Sequence, residues 1–261
     1  MKSLELLTEE NNQLHNILRI ATFNIHKGVS IFNTRLMLHE QRELIRKLHA
    51  DIVFLQEVRG SHARHSKLTA GAQYEFLADS VWSDFAYGQN AIRSSGHHGN
   101  AILSKFPIMQ WENEDISAST TEQRGLLHCE IAIPGWDQNL HCICVHLGLF
   151  SVWRRQQLTA LNNRINKLVP KNAPLIIAGD FNDWRQKATG LLIEQLHLKE
   201  VFEATHGKNA RSFPALLPLF RLDRIYTRGF HIQHSQVHGG ISAAHTSDHA
   251  ALSATLHKII N

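Results

Sequence analysis

The chain has 261 residues, 43% hydrophobic and 19% charged, a balance that excludes a disordered or collagen-like polymer and suits one large folded domain. Its net charge is +4 with histidine counted neutral, and basic residues fall in scattered pairs such as Arg154-Arg155, which excludes the long cationic runs of a polyanion-binding tail. The 19 histidines make the surface more cationic in mild acid.

Cys129, Cys142 and Cys144 lack C-x-x-C spacing and read as small buried hydrophobes; Cys142 and Cys144 alternate on one face of a strand. The opening "MKSLELLTEENNQLHN" carries glutamates where a signal peptide needs an apolar run, and nothing approaches the roughly 18 apolar residues of a membrane span. The expectation is a cytoplasmic chain folded as a single domain over 1–261, with 1–17 an N-terminal extension. Peripheral membrane contact stays open.

In chain order, 18–25 reads as a strand, 38–48 as an amphipathic helix and 51–58 as a buried strand. Strands follow at 85–92, 99–106, 124–133 and 139–147, a succession without helices that predicts antiparallel pairing. A helix at about 151–168 precedes a strand at 174–180, a helix near 186–196 and strands at 221–228, 231–237 and 249–256. Two sheets packed face to face with helices outside would bury this pattern.

Polar residues recur at strand ends. Ile20, Thr22 and Asn24 share one face of a period-2 strand, and Val53, Leu55 and Glu57 read the same way. His146 follows "CICV", Asp180 follows "IIAG", and Asp248-His249 opens the last strand. Each alone is explained by a turn or cap. Together they match the edge of a sheet where ligand chemistry collects. Asp183 alternates away from Asp180 and Asn182 and is expected to cap a helix starting near Trp184.

A set of Asn, Glu, Asp and His without cysteine suits a hard cation such as Mg²⁺, which takes oxygen ligands at about 2.1 Å and keeps several waters. That chemistry fits phosphoryl transfer, with an Asp activating water and a His stabilising phosphate. Zinc ranks lower: His97-His98 and His62-x-x-His65 supply imidazoles, but not in the H-E-x-x-H manner.

The motifs "TFNIHKG", "DIVFLQEV", "GNAILSKFPI", "HLGL", "GDFND", "RLDRIY" and "SDHAAL", in this order along nearly the whole chain, resemble the endonuclease/exonuclease/phosphatase superfamily, and most of all a small bacterial branch of it. The resemblance implies an α/β, four-layered sandwich, two mixed and mostly antiparallel sheets flanked by helices, with the site at the top of both. It implies Mg²⁺, with Mn²⁺ as a substitute, held by Glu57 with Asn24 beside it and Asp248 near. Asp180 would activate water, Asn182 would hold Asp180 and the phosphate, and His249, oriented by Asp223, would contact the scissile phosphate. His146 would hydrogen-bond the phosphate or protonate the leaving oxygen. Arg124 falls where nucleolytic relatives place a phosphate-contacting arginine, and an exposed strand-edge residue is its other reading.

Two departures bear on substrate. In place of the Gly-Trp pair of abasic-site repair enzymes stands "RSFPALLPLFRLD", whose apolar tip 215–220 is expected to be a buried lid; otherwise it is a patch resting on lipid or nucleobase. The dense basic loops that track a duplex are missing. The expected activity is a Mg²⁺-dependent hydrolase cleaving a phosphodiester, either nucleic acid or a phospholipid or other small phosphodiester, by in-line attack of water. An inositol-phosphate-type phosphomonoesterase ranks lower, since no further Lys/Arg cluster accompanies the motifs. A non-catalytic binding module on the same fold is the remaining alternative. No stable protein partner is implied.

Overall fold

The structure, a computed structural model, describes residues 16–30, 35–62, 72–78, 81–93, 96–185 and 188–259. Two six-stranded mixed sheets form its centre. In the first, strands β1 (Ile17–Asn24), β2 (Ile52–His62), β3 (Asp84–Arg93), β4 (Gly96–Ser104), β11 (Phe230–His238) and β12 (Ala251–Lys258) run in the order β11-β12-β1-β2-β4-β3. The second takes β5 (Ile108–Asp115), β6 (Gly125–Ile131), β7 (Leu140–His146), β8 (Leu175–Asp180), β9 (Lys199–Glu200) and β10 (Asp223–Arg228) in the order β5-β6-β7-β8-β10-β9. β1 pairs with β2, and β7 with β8, in parallel; the remaining pairs are antiparallel.

Alternation decides the layers. Leu18, Ile20, Ile52 and Phe54 of the first sheet meet Cys129, Cys142, Cys144, Ile176 and Ile225 of the second in one inter-sheet core. The three cysteines are free and buried there. The opposite face of the first sheet, with Phe23, Val53 and Leu55, packs on helices α1 (Leu38–Lys47) and α2 (Gln73–Ala78). Helix α1 turns Leu38, Gln41 and Ile45 inward, an i, i+3, i+7 stripe. On the far side, α3 (Ser151–Leu168) and α4 (Ala188–Leu196) cover the second sheet through Leu158, Leu161, Ile165 and Leu192. Every residue of β7 and β8 is buried, as befits central strands covered on both faces. Short helices α5 (Val201–His206) and α6 (Ile241–Ala244) complete the chain.

Several expectations are corrected. Ile17, assigned to the N-terminal extension, already belongs to β1, and residues 1–15 lie outside the described set. β5 was missed: it is an edge strand carrying Trp111 and Met109 outward among acids and amides, without clean alternation. Asp248 and His249 do not open the last strand, which begins at Ala251; they sit in the loop before it. The helix expected near Trp184 begins at Ala188, so Asp183 is too far away to cap it and is instead buried. His65 lies outside the described residues.

Candidate active site

Register places the first three groups. His146, the last residue of β7, pairs with Asp180, the last residue of β8, which pairs with Asp223, the first residue of β10. Three rigid strands thus present three polar side chains in one row at one sheet edge. The first sheet brings Asn24, at the end of β1, whose Nδ2 donates to Asp180 Oδ2 at 3.2 Å. The site therefore bridges both sheets.

Asp180 is the hub. Its Oδ1 accepts the backbone N–H of Asn182 at 2.9 Å. Its Oδ2 lies 3.5 Å from His146 Nε2 and 3.8 Å from His249 Nε2. The other nitrogen of that second ring, His249 Nδ1, is 2.8 Å from Asp223 Oδ2. Asn182 holds Asp180 through its main chain, while its own Nδ2 donates to the carbonyl of Leu147 at 2.9 Å. The loop bearing His249 is fixed by Ser247, whose hydroxyl donates to the Asn24 carbonyl at 2.7 Å and accepts the His249 N–H at 3.2 Å.

Electrostatics divides the two histidines. Burial pushes His146 well below the ordinary imidazole value and the charge of Arg124 adds to this, so the ring is neutral. Burial also disfavours charge on His249, but Asp223 and Asp180 outweigh it and raise the group to about 10. Burial raises Asp180 to about 6, with Asp223 adding to the rise and His249 opposing it. One acid sits beside one neutral and one protonated imidazole.

Glu57 reaches the cleft by an irregularity. Strict alternation would turn it to the helix side with Val53 and Leu55, but the β2–β4 register shifts between Leu55 and Val58, and Glu57 takes φ +58°. The bulge returns Val58 to the helix-side core and aims Glu57 at the site, so its expected face-sharing with Val53 and Leu55 does not hold. Glu57 Oε2 lies 2.9 Å from Lys27 Nζ. Burial would raise its pKa, yet His146, Lys27 and His26 hold the carboxyl well below the usual carboxylate range. Of the six described non-glycine residues with positive φ, four are His26, Lys27, Glu57 and Asn182, all at this cleft. Such backbone concentrates where geometry serves function.

Asp248 pairs with His26 Nδ1 at 3.4 Å. Arg124 is no exposed edge residue: it donates to Glu122 at 3.0 Å and to the Leu147 carbonyl at 3.3 Å. It lines a cavity of about 520 Å³ with Lys27, Glu57, Arg59, His97 and Trp153. Lys27, Arg59 and Arg124, in no single run of the sequence, are gathered there from separate segments, with Lys27 paired to Glu57 and Arg124 to Glu122. His26, Lys27 and Arg59 had received no role; the first two stand inside "TFNIHKG", but the left-handed backbone that turns them into the cleft has no signature there. Asp180, Asp223 and His249 form a group whose ligating atoms all lie within 4.8 Å of one another.

A two-sheet α/β sandwich with an Asp–His–Asp centre at the strand ends defines a phosphoesterase-type fold, and residues 21–249 match the endonuclease/exonuclease/phosphatase family; the chain belongs to that family. Among its relatives is the uncharacterized protein YbhP of Escherichia coli (strain K12), 47% identical over 243 residues, covering 92% of this chain and 96% of that protein. An endonuclease/exonuclease/phosphatase from Beutenbergia cavernae superposes with a TM-score of 0.73 at 18% identity, over 93% of this chain and 72% of the other. D. rerio TDP2 in complex with a single-strand DNA product superposes with a TM-score of 0.67 at 22% identity, over 93% and 99%. These two likenesses bear on the fold.

Proposed function

We propose that the chain is a divalent-metal-dependent phosphodiesterase that hydrolyses its substrate by in-line attack of water on phosphorus. The observation that carries this reading is Asp180, buried at the meeting of both sheets and flanked by Asn24, a neutral His146 and a protonated His249. Asp180 takes the proton from the attacking water, Asn182 N–H keeps its carboxylate oriented, and His249 Nε2 binds a phosphate oxygen with its charge sustained by Asp223. His146, as a neutral ring, donates a hydrogen bond to the phosphate or to the leaving oxygen. Arg124 and the cationic cavity beside Glu57 receive the rest of the substrate.

The residues fit a hard cation. Glu57 Oε2 is buried and already holds a cation, the Lys27 ammonium, in an ion pair at 2.9 Å. Glu57 would hold Mg²⁺, or Mn²⁺ in its place, with Asn24 and Asp248 on the same side of the cleft. When bound, the ion supplies charge neutralisation of phosphate oxygens. The triad of Asp180, Asp223 and His249 is a poorer cradle, because His249 Nδ1 is engaged by Asp223 and the ring is protonated.

The test is hydrolysis of bis-p-nitrophenyl phosphate with and without Mg²⁺, in the wild type and in Asp180→Asn. Metal-stimulated turnover that disappears in the variant supports the reading. Equal rates in the two proteins would overturn it by removing Asp180 from the chemistry, and no turnover in either would overturn it in favour of a binding module.

A further inference from the structure

The apolar tip 215–220, expected as a buried lid, buries Ala215 but turns most of its side chains outward. Leu216, Leu217, Leu219 and Phe220 are all exposed, Leu217 by 66%. The segment is nonetheless held firmly. Phe220 N–H donates to the Phe213 carbonyl at 2.7 Å, Ala215 N–H to the Asp248 carbonyl at 2.7 Å, and Ala250 N–H to the Ser212 carbonyl at 2.8 Å. Its backbone is thus clamped on both sides of His249.

Aromatic contacts carry the patch outward from the site. The ring of Phe213 lies 5.0 Å from that of His249, and Trp184 packs edge-on against Phe220 at 5.0 Å. Ile241 joins through Gly240, whose N–H donates to the Ala215 carbonyl at 2.9 Å. Beyond the His146–Asp180–Asp223 row, the loop after β7 exposes Leu149 and Phe150, and the first turn of α3 exposes Val152. Apolar side chains therefore rise on both sides of a cleft whose floor, Asp180 and His249, is buried.

From this arrangement we infer that the rim is a docking surface for an anionic phospholipid bilayer, and that the phosphodiester delivered to the site is that of a lipid headgroup. The inference rests on the phosphodiesterase reading for its second half and on the rim alone for its first. A headgroup phosphate lies just outside the acyl boundary. A recessed site reaches it when an apolar rim sinks the roughly 5–10 Å typical of interfacial segments. Aliphatic Leu216, Leu217 and Leu219 offer a nucleobase neither stacking plane nor hydrogen bond, whereas Trp184 and Phe220 suit the headgroup level. Charge agrees. Residues 207–222 contain Lys208, Arg211 and Arg221 and no acid, and on the other side Arg155 is exposed in a stretch, 147–155, that contains no acid. A second copy seated on this rim would close the cleft it surrounds.

Flotation of the full chain with phosphatidylglycerol-rich and with phosphatidylcholine vesicles tests the docking without reference to turnover. The wild type is expected to float with the anionic vesicles and less with the neutral ones. The double variant Leu216→Glu/Leu217→Glu is expected to lose at least about tenfold in partitioning. Its thermal unfolding and its hydrolysis of bis-p-nitrophenyl phosphate should stay unchanged. A wild type that remains in the soluble fraction, or a variant that floats equally well, overturns the inference. So does a wild type that fails to float but forms dimers, or binds single-stranded DNA, in a manner abolished by the same variant. Docking without hydrolysis of bis-p-nitrophenyl phosphate or phosphatidylglycerol would leave the rim standing and overturn the phosphodiesterase reading instead.

Discussion

Asp223 and His249 are 26 positions apart, yet Asp223 Oδ2 and His249 Nδ1 meet at 2.8 Å inside the protein, and the second ring nitrogen faces Asp180. The contact fixes the ring's orientation and keeps its charge. Asp223→Asn retains the shape and removes that charge. We expect kcat for a soluble phosphodiester to fall by about 10² or more, with little change in KM, in line with the loss of other imidazole-orienting carboxylates.

The same cluster sets a pH profile. Asp180 must be ionised to accept a proton and its pKa is raised by burial to about 6, so the rate should rise as pH rises through that value. His249 must remain protonated and is raised to about 10, so the rate should fall above it. A plateau between the two limits is the expected outcome of a rate–pH series. In Asp223→Asn the alkaline limit should move to lower pH, because that charge sustains the imidazolium.

If Glu57 holds the metal as proposed, Lys27 Nζ, now 2.9 Å from it, competes with the ion. Glu57→Gln should raise the Mg²⁺ concentration needed for half-maximal rate by about tenfold or more, with partial recovery at high Mg²⁺. Lys27→Met should shift it the other way. A Glu57→Gln protein with wild-type metal dependence would sink the assignment. Calorimetric titration of Mg²⁺ into the two variants checks the same order without turnover.

Stability should also depend on pH, through a group away from the site. His128 is buried, its Nδ1 accepting from Arg164 Nε at 3.3 Å and its Nε2 lying 3.0 Å from His141 Nδ1. Burial, with the charges of His141 and Arg164, pushes it down to about 4. In the unfolded chain it titrates near 6.5. The unfolded state therefore binds more protons between these values, so this stabilisation is present above about 6.5 and lost as pH falls towards 4. It amounts to about 3 kcal/mol at most. Urea unfolding across that range should show the slope, and His128→Gln should flatten it.

Gly179 precedes Asp180 at φ +148°, and a Cβ built there would run into the carbonyl of Val145 on the neighbouring strand. Gly179→Ala should lower the unfolding free energy by about 2 kcal/mol or more, read from the urea midpoint. It should also reduce turnover by pushing Asp180 out of register with His146.

Much of this architecture was legible because burial writes a period into a chain. β7 and β8 read as continuous apolar runs, and α3 was placed at its observed limits, 151–168. Asp180 was visible for the same reason, a carboxylate ending an apolar strand. β5 was not, because an edge strand with one exposed face needs little alternation. Glu57 was singled out at its strand end and in its motif but assigned to the wrong face, since a bulge with left-handed backbone leaves no mark in composition. The cavity shared by Lys27, Arg59 and Arg124 could not be seen at all: its walls come from segments brought together only by folding.

The bond from Asn24 to Asp180 ties one sheet to the other through residues 156 positions apart. Neither half of the sandwich owns the chemistry. During refolding, turnover should be the last signal to return, later than the far-ultraviolet signature of either sheet. Its recovery time would then clock the moment at which the two layers close upon one another.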